Sequence, residues 1–193
     1  GATTPATQPT PAPTVSSEAA MSGGYQVGPD GVLVRPAQYA ADTYTKPELP
    51  EEAKENTERG AEAAAEHYLA LLVYAWNTGD TQPFADMSAP TSKFASDYIK
   101  DVNEQYANGW NYGMESNITY VLRVEPIEAN GDDVPEGSIL VKFRTETDDG
   151  TSCTRTRLQS TSTTYNSTVT FIMTWKDGGW KEVQGRTVGD DED

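Results

Sequence analysis

The sequence is poor in the residues from which most catalytic and metal sites are built. It contains one cysteine, Cys153, and one histidine, His67, among 193 residues. No intrachain disulfide can form, and a structural zinc site is excluded because its usual ligands are several Cys and His side chains. A phosphate-binding glycine loop, a nucleotide fingerprint and a serine-nucleophile elbow are also missing. We therefore expect no cofactor and no metal, and we assign no catalytic residue from the sequence.

Basic residues are scarce as well. The chain has 14 Lys and Arg against 30 Asp and Glu, which gives a net charge of -16. Nucleic acid is excluded as a partner, because its binding needs a basic surface, and electrostatic docking on anionic membranes is disfavoured for the same reason. No apolar run is long enough to span a membrane. We interpret the charge as a solvated acidic surface, with a calcium or cationic-ligand site as the alternative.

The first twenty residues carry almost no apolar side chains that could join a core. Twelve of the first fifteen are Ala, Thr or Pro, a composition that favours extended polyproline geometry. We predict that residues 1–20 form a semi-rigid spacer. Such spacers are typical just after the lipid-bearing cysteine of exported bacterial lipoproteins. We expect an extracellular protein held to the cell membrane by a lipid on a cysteine ahead of Gly1; the alternative is a disordered tail without that role.

Residues 21–50 differ from the spacer because apolar side chains are frequent in them. Pro36, Pro47 and Pro50 forbid a helix here. The sequence Gly-Pro-Asp-Gly at 28–31 predicts a turn between two short extended pieces. We predict an extended arm that packs on the domain, with disorder throughout residues 1–46 as the alternative.

The next segment has the periodicity of helices. Apolar side chains recur every three to four positions from Ala61 to Trp76, which predicts one long amphipathic helix. Thr57 and Gly60 mark a point at which a short first helix separates from the long one. The helix ends at residues 77–80. Two shorter helices follow, one that begins at Asp80 or Thr81 and one over about 91–107.

Beyond residue 115 the apolar period changes from 3.6 to 2. Alternation predicts half-buried antiparallel strands, and Gly-containing turns at 148–150 and 177–179 predict hairpins. Residues 151–162 are polar, so we expect a strand at an edge or on a wet face. The strands with clear alternation cover 118–124, 139–144, 169–176 and about 179–188.

Helices followed by strands predict an α+β domain over residues 51–189. We expect the N-terminal helices to pack in the concave face of a curved four- to six-stranded antiparallel sheet, which forms a cone. Residues 190–193 are a solvated acidic tail.

The order of these elements carries a resemblance. A long helix that ends in Asn77-Thr78-Gly79-Asp80, two shorter helices and hairpins that close with 175–180 resemble the nuclear-transport-factor-two-like fold, also called cystatin-like. The segments 47–50 (PELP), 53–57 (AKENT) and 78–81 (TGDT) further resemble an actinobacterial lipoprotein family of unknown function. That family carries two cysteines after the serine that corresponds to Ser88, whereas no cysteine follows Ser88 closely here.

The resemblance implies a cavity between the long helix and the sheet. Aromatic side chains are the candidates for lining this cavity or its mouth and binding a ligand there, although core packing would also account for them. The candidate ligand-binding residues are Tyr68, Trp76, Tyr98, Trp110, Tyr112, Tyr120 and Trp175.

The titratable residues do not form an acid–base pair in the sequence. His67 lies at the border of the helix stripe and is interpreted as a surface residue, with a general base as the alternative. Asp80 is interpreted as a helix cap and Cys153 as an inert thiol. The Ser- and Thr-rich segment 151–168 predicts a hydrated sheet face, with glycan or peptide binding through hydroxyls as the alternative.

These observations favour a cell-envelope lipoprotein domain that binds a ligand or partner without catalysis. The partner is a small molecule, a glycan or an envelope protein. The alternative is a small-molecule enzyme of the isomerase or dehydratase kind that uses the cone cavity. Self-association into a homodimer through the exposed sheet face is a third hypothesis.

Overall fold

The described residues form three α-helices and two antiparallel sheets. The computed structural model describes Gly1 and residues 23–190; the predicted spacer and the acidic tail lie, apart from Gly1 and Asp190, outside the described residues. The helices are α1 (Glu58–Thr78), α2 (Gln82–Asp86) and α3 (Lys93–Asn108), and short 3-10 turns cover Ala37–Tyr39, Ala41–Thr43 and Glu51–Lys54. The strands are β1 (Gly109–Tyr112), β2 (Glu115–Pro126), β3 (Ile139–Asp148), β4 (Thr151–Thr154), β5 (Leu158–Ser160), β6 (Thr164–Lys176) and β7 (Gly179–Gly189).

The larger sheet has the order β2-β3-β6-β7 and the smaller one β1-β4-β5. Helix α1 contacts all four strands of the larger sheet and also β1. The predicted α+β class, with helices packed on an antiparallel sheet, is confirmed. None of the helices within the described part of the chain is long and apolar enough to cross a membrane.

The second sheet was not expected, and it corrects two predictions. Residues 148–150 do not form a hairpin: β4 leaves β3 there and pairs with β1 and β5 instead. The polar segment 151–162 forms two strands rather than one: β4 is the central strand of its sheet and buries Ser152 and Cys153, whereas β5 lies at the edge, as predicted, and is largely exposed. Pairing between β1 and β4 joins residues about forty positions apart, and no local pattern reports such a pairing.

Helix α1 begins at the point, marked by Thr57 and Gly60, where the sequence predicted that a short helix separates from a long one. The Thr57 hydroxyl caps the helix by accepting a hydrogen bond from the Gly60 amide at 2.9 Å. A Cβ atom at Gly60 would lie 2.0 Å from the Glu55 carbonyl oxygen, so the chain passes too close for any side chain. The predicted separation into a short helical turn and a long helix is therefore confirmed.

The C-terminus of α1 explains the Asn-Thr-Gly-Asp sequence. Gly79 caps the helix with a φ of 79°, the left-handed region that glycine adopts without strain. Buried Asn77 accepts a hydrogen bond from the Met114 amide at 2.9 Å and donates one to the Met114 carbonyl at 3.0 Å. These two bonds fix the helix end against the connection between β1 and β2.

The arm at 23–50 packs on the smaller sheet. Val27 and Leu33 form an antiparallel bridge, and Leu33 is buried beside Trp110 and Cys153. The Arg35 guanidinium donates a hydrogen bond to the carbonyl of Asn77 at 2.6 Å, which is favourable at the negative end of the helix dipole. The arm is thus tied to both the smaller sheet and the end of α1.

Strand β2 departs from simple alternation. Register irregularities fall between Ile118 and Tyr120 and between Val121 and Arg123. Each extra residue shifts the following side chains relative to the sheet face. As a result Tyr120 is 69% exposed on the edge strand, and its expected inward orientation is not observed.

Candidate functional site

Aromatic rings fill the space between α1 and the larger sheet. The Tyr68 ring stacks on Phe84 at a centroid distance of 4.4 Å and meets Phe171 edge-on at 4.9 Å. Phe171 in turn contacts Phe143 at 5.8 Å and Phe94 at 5.6 Å. All of these rings except that of Phe94 are fully buried. This part of the cone is a packed core.

A carboxylate, Glu182, lies buried within this core. Its Oε2 accepts a hydrogen bond from the Tyr68 hydroxyl at 2.5 Å, and the Ser92 hydroxyl reaches Oε1 at 2.6 Å and Oε2 at 2.9 Å. Ser88 lies 2.7 Å from the Tyr68 hydroxyl and donates to the carbonyl of Phe84. Both carboxylate oxygens are therefore occupied by hydroxyls of the protein itself.

Local structure explains how an acidic side chain reaches this position. Trp180 points inward from β7, and Glu182 follows it by two residues on the same face. The Glu182 amide donates to the Met87 carbonyl at 2.9 Å, and the Glu182 carbonyl accepts from Ala89 at 2.7 Å. These two backbone hydrogen bonds join β7 to the segment between α2 and α3.

Helix α3 stabilises the charge of this carboxylate. Ser92 is its N-cap and accepts a hydrogen bond from the Ala95 amide at 3.1 Å while its hydroxyl proton points to Glu182. The positive end of the helix dipole therefore faces the buried carboxylate. The ionised carboxylate has no cationic partner here, and the hydroxyl donors and the helix end replace part of its lost hydration.

The pKa values of this pair are shifted by burial. Burial raises the pKa of Glu182, while the hydrogen bonds from Ser92 and Tyr68 lower it. Burial is the main cause that raises the pKa of Tyr68. The charge of Glu182 and the hydrogen bond to Glu182 raise this pKa further. Tyr68 accordingly keeps its proton and acts as a hydrogen-bond donor to Glu182. The arrangement is a closed network in which both groups are hydrogen-bonded to other side chains of the protein.

The structure brings three of the predicted ligand-binding residues together. Tyr68 joins Tyr98 through Phe84, whose ring lies 5.2 Å from Tyr98, and Tyr98 contacts Trp76 at 6.4 Å. The Tyr98 hydroxyl donates to the Leu72 carbonyl at 2.8 Å. These three side chains pack along α1 and α3.

The other four lie elsewhere. Trp110 and Tyr112 pack beneath the arm, where Tyr39 stacks on Tyr112 at 4.1 Å and Tyr25 meets Trp110 at 5.3 Å. Trp175 contacts Trp180 at 5.4 Å near the β6–β7 turn. Tyr120 stands exposed on the outer edge. The seven residues therefore lie in three regions: Tyr68, Trp76, Tyr98 and Trp175 in or beside the main core, Trp110 and Tyr112 beneath the arm, and Tyr120 on the exposed edge.

A surface cleft of about 620 Å³, here the arm cleft, opens between residues 46–54 and the β6–β7 turn. Its floor includes Leu71, Met87 and Trp180, and His67 lines one wall. Burial lowers the pKa of His67, so the imidazole is neutral near pH 7. Charged side chains also line the cleft, among them Lys46, Glu48 and Asp86, so it combines an apolar floor with several polar groups.

A second cleft of about 650 Å³, here the hydroxyl cleft, lies at the ends of β6 and β7. Polar groups dominate its walls, and one aromatic ring, that of Tyr165, is 43% exposed. Its lining residues are Thr164, Tyr165, Asn166, Ser167, Thr187, Gly189 and Asp190. Within residues 23–190 no three His, Cys, Asp or Glu side chains gather as metal ligands.

Sequence reasoning missed Glu182 and Asn111. Glu182 had a signal, because alternation from inward-facing Trp180 places it inside. Asn111 had none: it is fully buried on β1, and its side-chain amide has no hydrogen-bond partner among the described residues. A buried amide without partners is unfavourable for folding, so packing alone does not explain it.

Comparison with solved structures finds low similarity over most of the chain. A ketosteroid isomerase-like protein from Erwinia carotovora is 16% identical, with a TM-score of 0.41 over 67% of this chain and 93% of that one. A protein with a cystatin-like fold from Caulobacter vibrioides is 13% identical, with a TM-score of 0.40 over 67% and 89%. The intermembrane space region of the chloroplast protein ARC6 is 14% identical, with a TM-score of 0.47 over 69% and 98%. At these TM-scores the likeness says nothing about activity or partners.

Two further comparisons concern sequence alone. No curated protein matches the chain. A model of the family of unknown function DUF6318 matches residues 37–185, which include the end of the arm, all three helices and nearly all of the two sheets. The chain therefore belongs to DUF6318, a family of unknown function.

Proposed function

We propose that the chain is a non-catalytic ligand-binding domain of an actinobacterial cell-envelope lipoprotein. One observation carries the absence of catalysis: the only fully buried acid among the described residues, Glu182, has both oxygens engaged by Tyr68 and Ser92. An acid–base catalyst needs a group within hydrogen-bond reach of a substrate proton. In this structure both Glu182 oxygens already accept hydrogen bonds from the protein, and the side chains of Phe84 and Phe171 fill the adjoining space.

Ligand binding is then assigned to the surface clefts. The arm cleft and the hydroxyl cleft each have a volume in the range of known small-molecule sites. The hydroxyl cleft lies on the paired strands β6 and β7, and the arm cleft lies between residues 46–54 and the β6–β7 turn. The envelope location is supported by the Thr- and Pro-rich composition of residues 1–20 and by the resemblance to a lipoprotein family.

The function is tested with Tyr68→Phe and Glu182→Gln in the full chain. A small-molecule library is screened by NMR against the wild type, and affinities for any hits are compared with the variants. We expect lower unfolding free energy in both variants and unchanged hit affinities, with shifted amides confined to the clefts. Hits that shift interior residues such as Phe171, or that lose affinity in both variants, would contradict the proposal.

Localisation needs a separate test. The natural gene is expressed in an actinobacterial host and the cells are labelled with an alkyne fatty acid. The proposal predicts a labelled protein in the membrane fraction that is accessible to protease from outside. An unlabelled protein in the cytosol would refute the envelope assignment without affecting the binding assignment.

A second candidate is an enzyme of the isomerase or dehydratase kind. The observation that favours it is the 2.5 Å approach of a tyrosine hydroxyl to a buried carboxylate, since such pairs perform proton transfer in many sites. It requires a substrate to reach Glu182 by displacing Phe84 or Ser92. Turnover of any hit that disappears in Glu182→Gln would establish it.

A further inference from the structure

We propose that the hydroxyl cleft binds an uncharged saccharide, an inference that rests on the proposed ligand-binding function and names its ligand class. The inner face of the larger sheet changes from apolar to polar side chains towards the start of β6. On β6 the inward residues Val169 and Phe171 are buried and apolar, whereas Tyr165 and Ser167, which precede them on the same face, are polar. A strand that served only to pack the core would continue with apolar residues.

The neighbouring strand shows the same change. Thr145 pairs with Ser167, and Thr147 pairs with Tyr165, so hydroxyls extend across the sheet at this end. Thr147 is satisfied internally, since its hydroxyl lies 2.8 Å from that of Ser116. Ser167 lines the cleft with 5% of its surface exposed, and the exposed residues Thr164, Tyr165 and Asn166 line the cleft beside it. The polar groups of these residues can hydrogen-bond to a ligand.

The charge of the cleft selects an uncharged ligand. Asp190 is the only acidic residue in its lining, and the Arg144 guanidinium holds it through two hydrogen bonds of 2.6 and 2.8 Å. The remaining groups are hydroxyls, an amide, backbone and one phenol ring. The net charge of -16 also disfavours anionic polymers near this surface.

The shape of the cleft is fixed before any ligand binds. The Thr163 amide and hydroxyl both donate to Asp149, at 2.7 and 2.8 Å, and Ser162 donates to Asp148. These bonds pin the chain just ahead of Tyr165. Arg144, which holds Asp190, also donates to Thr168 at 3.1 Å, next to Ser167 on β6. Preformed walls reduce the ordering free energy that binding must overcome.

Tyr165 supplies the apolar contact that a sugar ring needs. Its exposed ring offers a flat face for the C–H groups of a pyranose, while the surrounding hydroxyls and Asn166 match the sugar hydroxyls. The sequence interpretation left glycan binding open for residues 151–168. The hydroxyl cleft contains residues 164–167 of that segment, at the start of β6, together with residues at the end of β7.

The test is an NMR titration of the full chain with three probes. Mannotriose and N,N′,N″-triacetylchitotriose are uncharged, and trigalacturonate is an anionic counterpart of similar size. We expect an uncharged probe to shift the amides of 164–167 and 187–190, and Tyr165→Ala to weaken its binding about tenfold. Tyr120→Ala is the matched control, because it removes a tyrosine that is even more exposed, 69% against 43%, from the edge strand of the same sheet and should leave binding unchanged.

Three results would overturn the saccharide assignment. These are no shift at 164–167 with either uncharged probe, binding of trigalacturonate as tight as that of the uncharged probes, or equal weakening by Tyr120→Ala. If the uncharged saccharides leave 164–167 unshifted while library hits shift the arm cleft, the saccharide assignment fails and the proposed binding function stands. If the hits shift the interior around Glu182, the proposed function itself fails.

Discussion

Removing the Tyr68 hydroxyl should destabilise the fold more than removing a comparable hydroxyl elsewhere. Tyr68→Phe keeps the ring stacked on Phe84 and deletes two hydrogen bonds, one to the Glu182 carboxylate and one to Ser88. A hydrogen bond to a charged group contributes about 1.5–3 kcal/mol and a neutral one about 0.5–1.5 kcal/mol. The expected loss in unfolding free energy is therefore about 2–4 kcal/mol.

Tyr98→Phe is the matched control. It removes one tyrosine hydroxyl from the same core, where the hydroxyl donates to the neutral carbonyl of Leu72. The expected loss is about 1 kcal/mol. Urea unfolding followed by circular dichroism at pH 7 gives both values, with equal dependence on urea concentration as the sign that the transition is unchanged. Losses of equal size in the two variants would refute the reasoning, because Glu182 would then not depend on Tyr68.

Four other predictions concern separate parts of the molecule. Burial raises the pKa of Glu182 in the folded state. The contribution of this residue to stability is therefore complete below the unfolded pKa of about 4.3 and declines as the pH rises through the folded pKa. Urea unfolding from about pH 4 to about pH 8 should show this decline in the wild type relative to Glu182→Gln. Gly79→Ala forces a residue with a Cβ into the left-handed region, 2.7 Å from the Tyr106 ring, and thermal unfolding should show a loss above about 1 kcal/mol. Burial raises the pKa of the Cys153 thiol to about 11, so a thiol reagent should react with it only in denaturant. Asn111→Leu removes a buried amide without partners, and chemical denaturation should show a gain of about 1–3 kcal/mol, whereas a loss would mean that the amide is satisfied in solution.

The helical half of the fold could be predicted from the sequence because its signals are local. The three-to-four spacing from Ala61 to Trp76, the cap at Thr57 and the stop at Gly79 each depend on neighbours within one or two turns. The structure places α1 between the last two of these residues. The positions of α2 and α3 follow from the same kind of signal.

The strands were harder to predict because pairing and register are not local. Alternation located β2, but irregularities after Ile118 turned Tyr120 outward. Turn residues at 148–150 indicated a hairpin, yet the chain changes sheets there. A turn sequence reports the backbone conformation it favours and does not report which strand the next segment will join.

The sequence predicted which kinds of side chain the candidate site contains, but it did not predict how they are arranged. The sequence indicated hydroxyls in the segment 151–168 and an aromatic interior. It did not indicate that Glu182 closes a network with Tyr68, since the two residues lie 114 positions apart. The exclusion of metals and nucleotides depended on residue counts and motifs alone, which need no knowledge of contacts.

The most direct test of a closed interior is the titration of the Glu182 carboxyl carbon by ¹³C NMR, in the wild type and in Tyr68→Phe. A carboxyl buried among aromatic rings should titrate above its usual pKa range, and loss of the Tyr68 donor should raise its pKa further. A carboxyl with an ordinary pKa that does not respond to Tyr68→Phe would show that water reaches Glu182, and the claim that this interior is packed and non-catalytic would be contradicted.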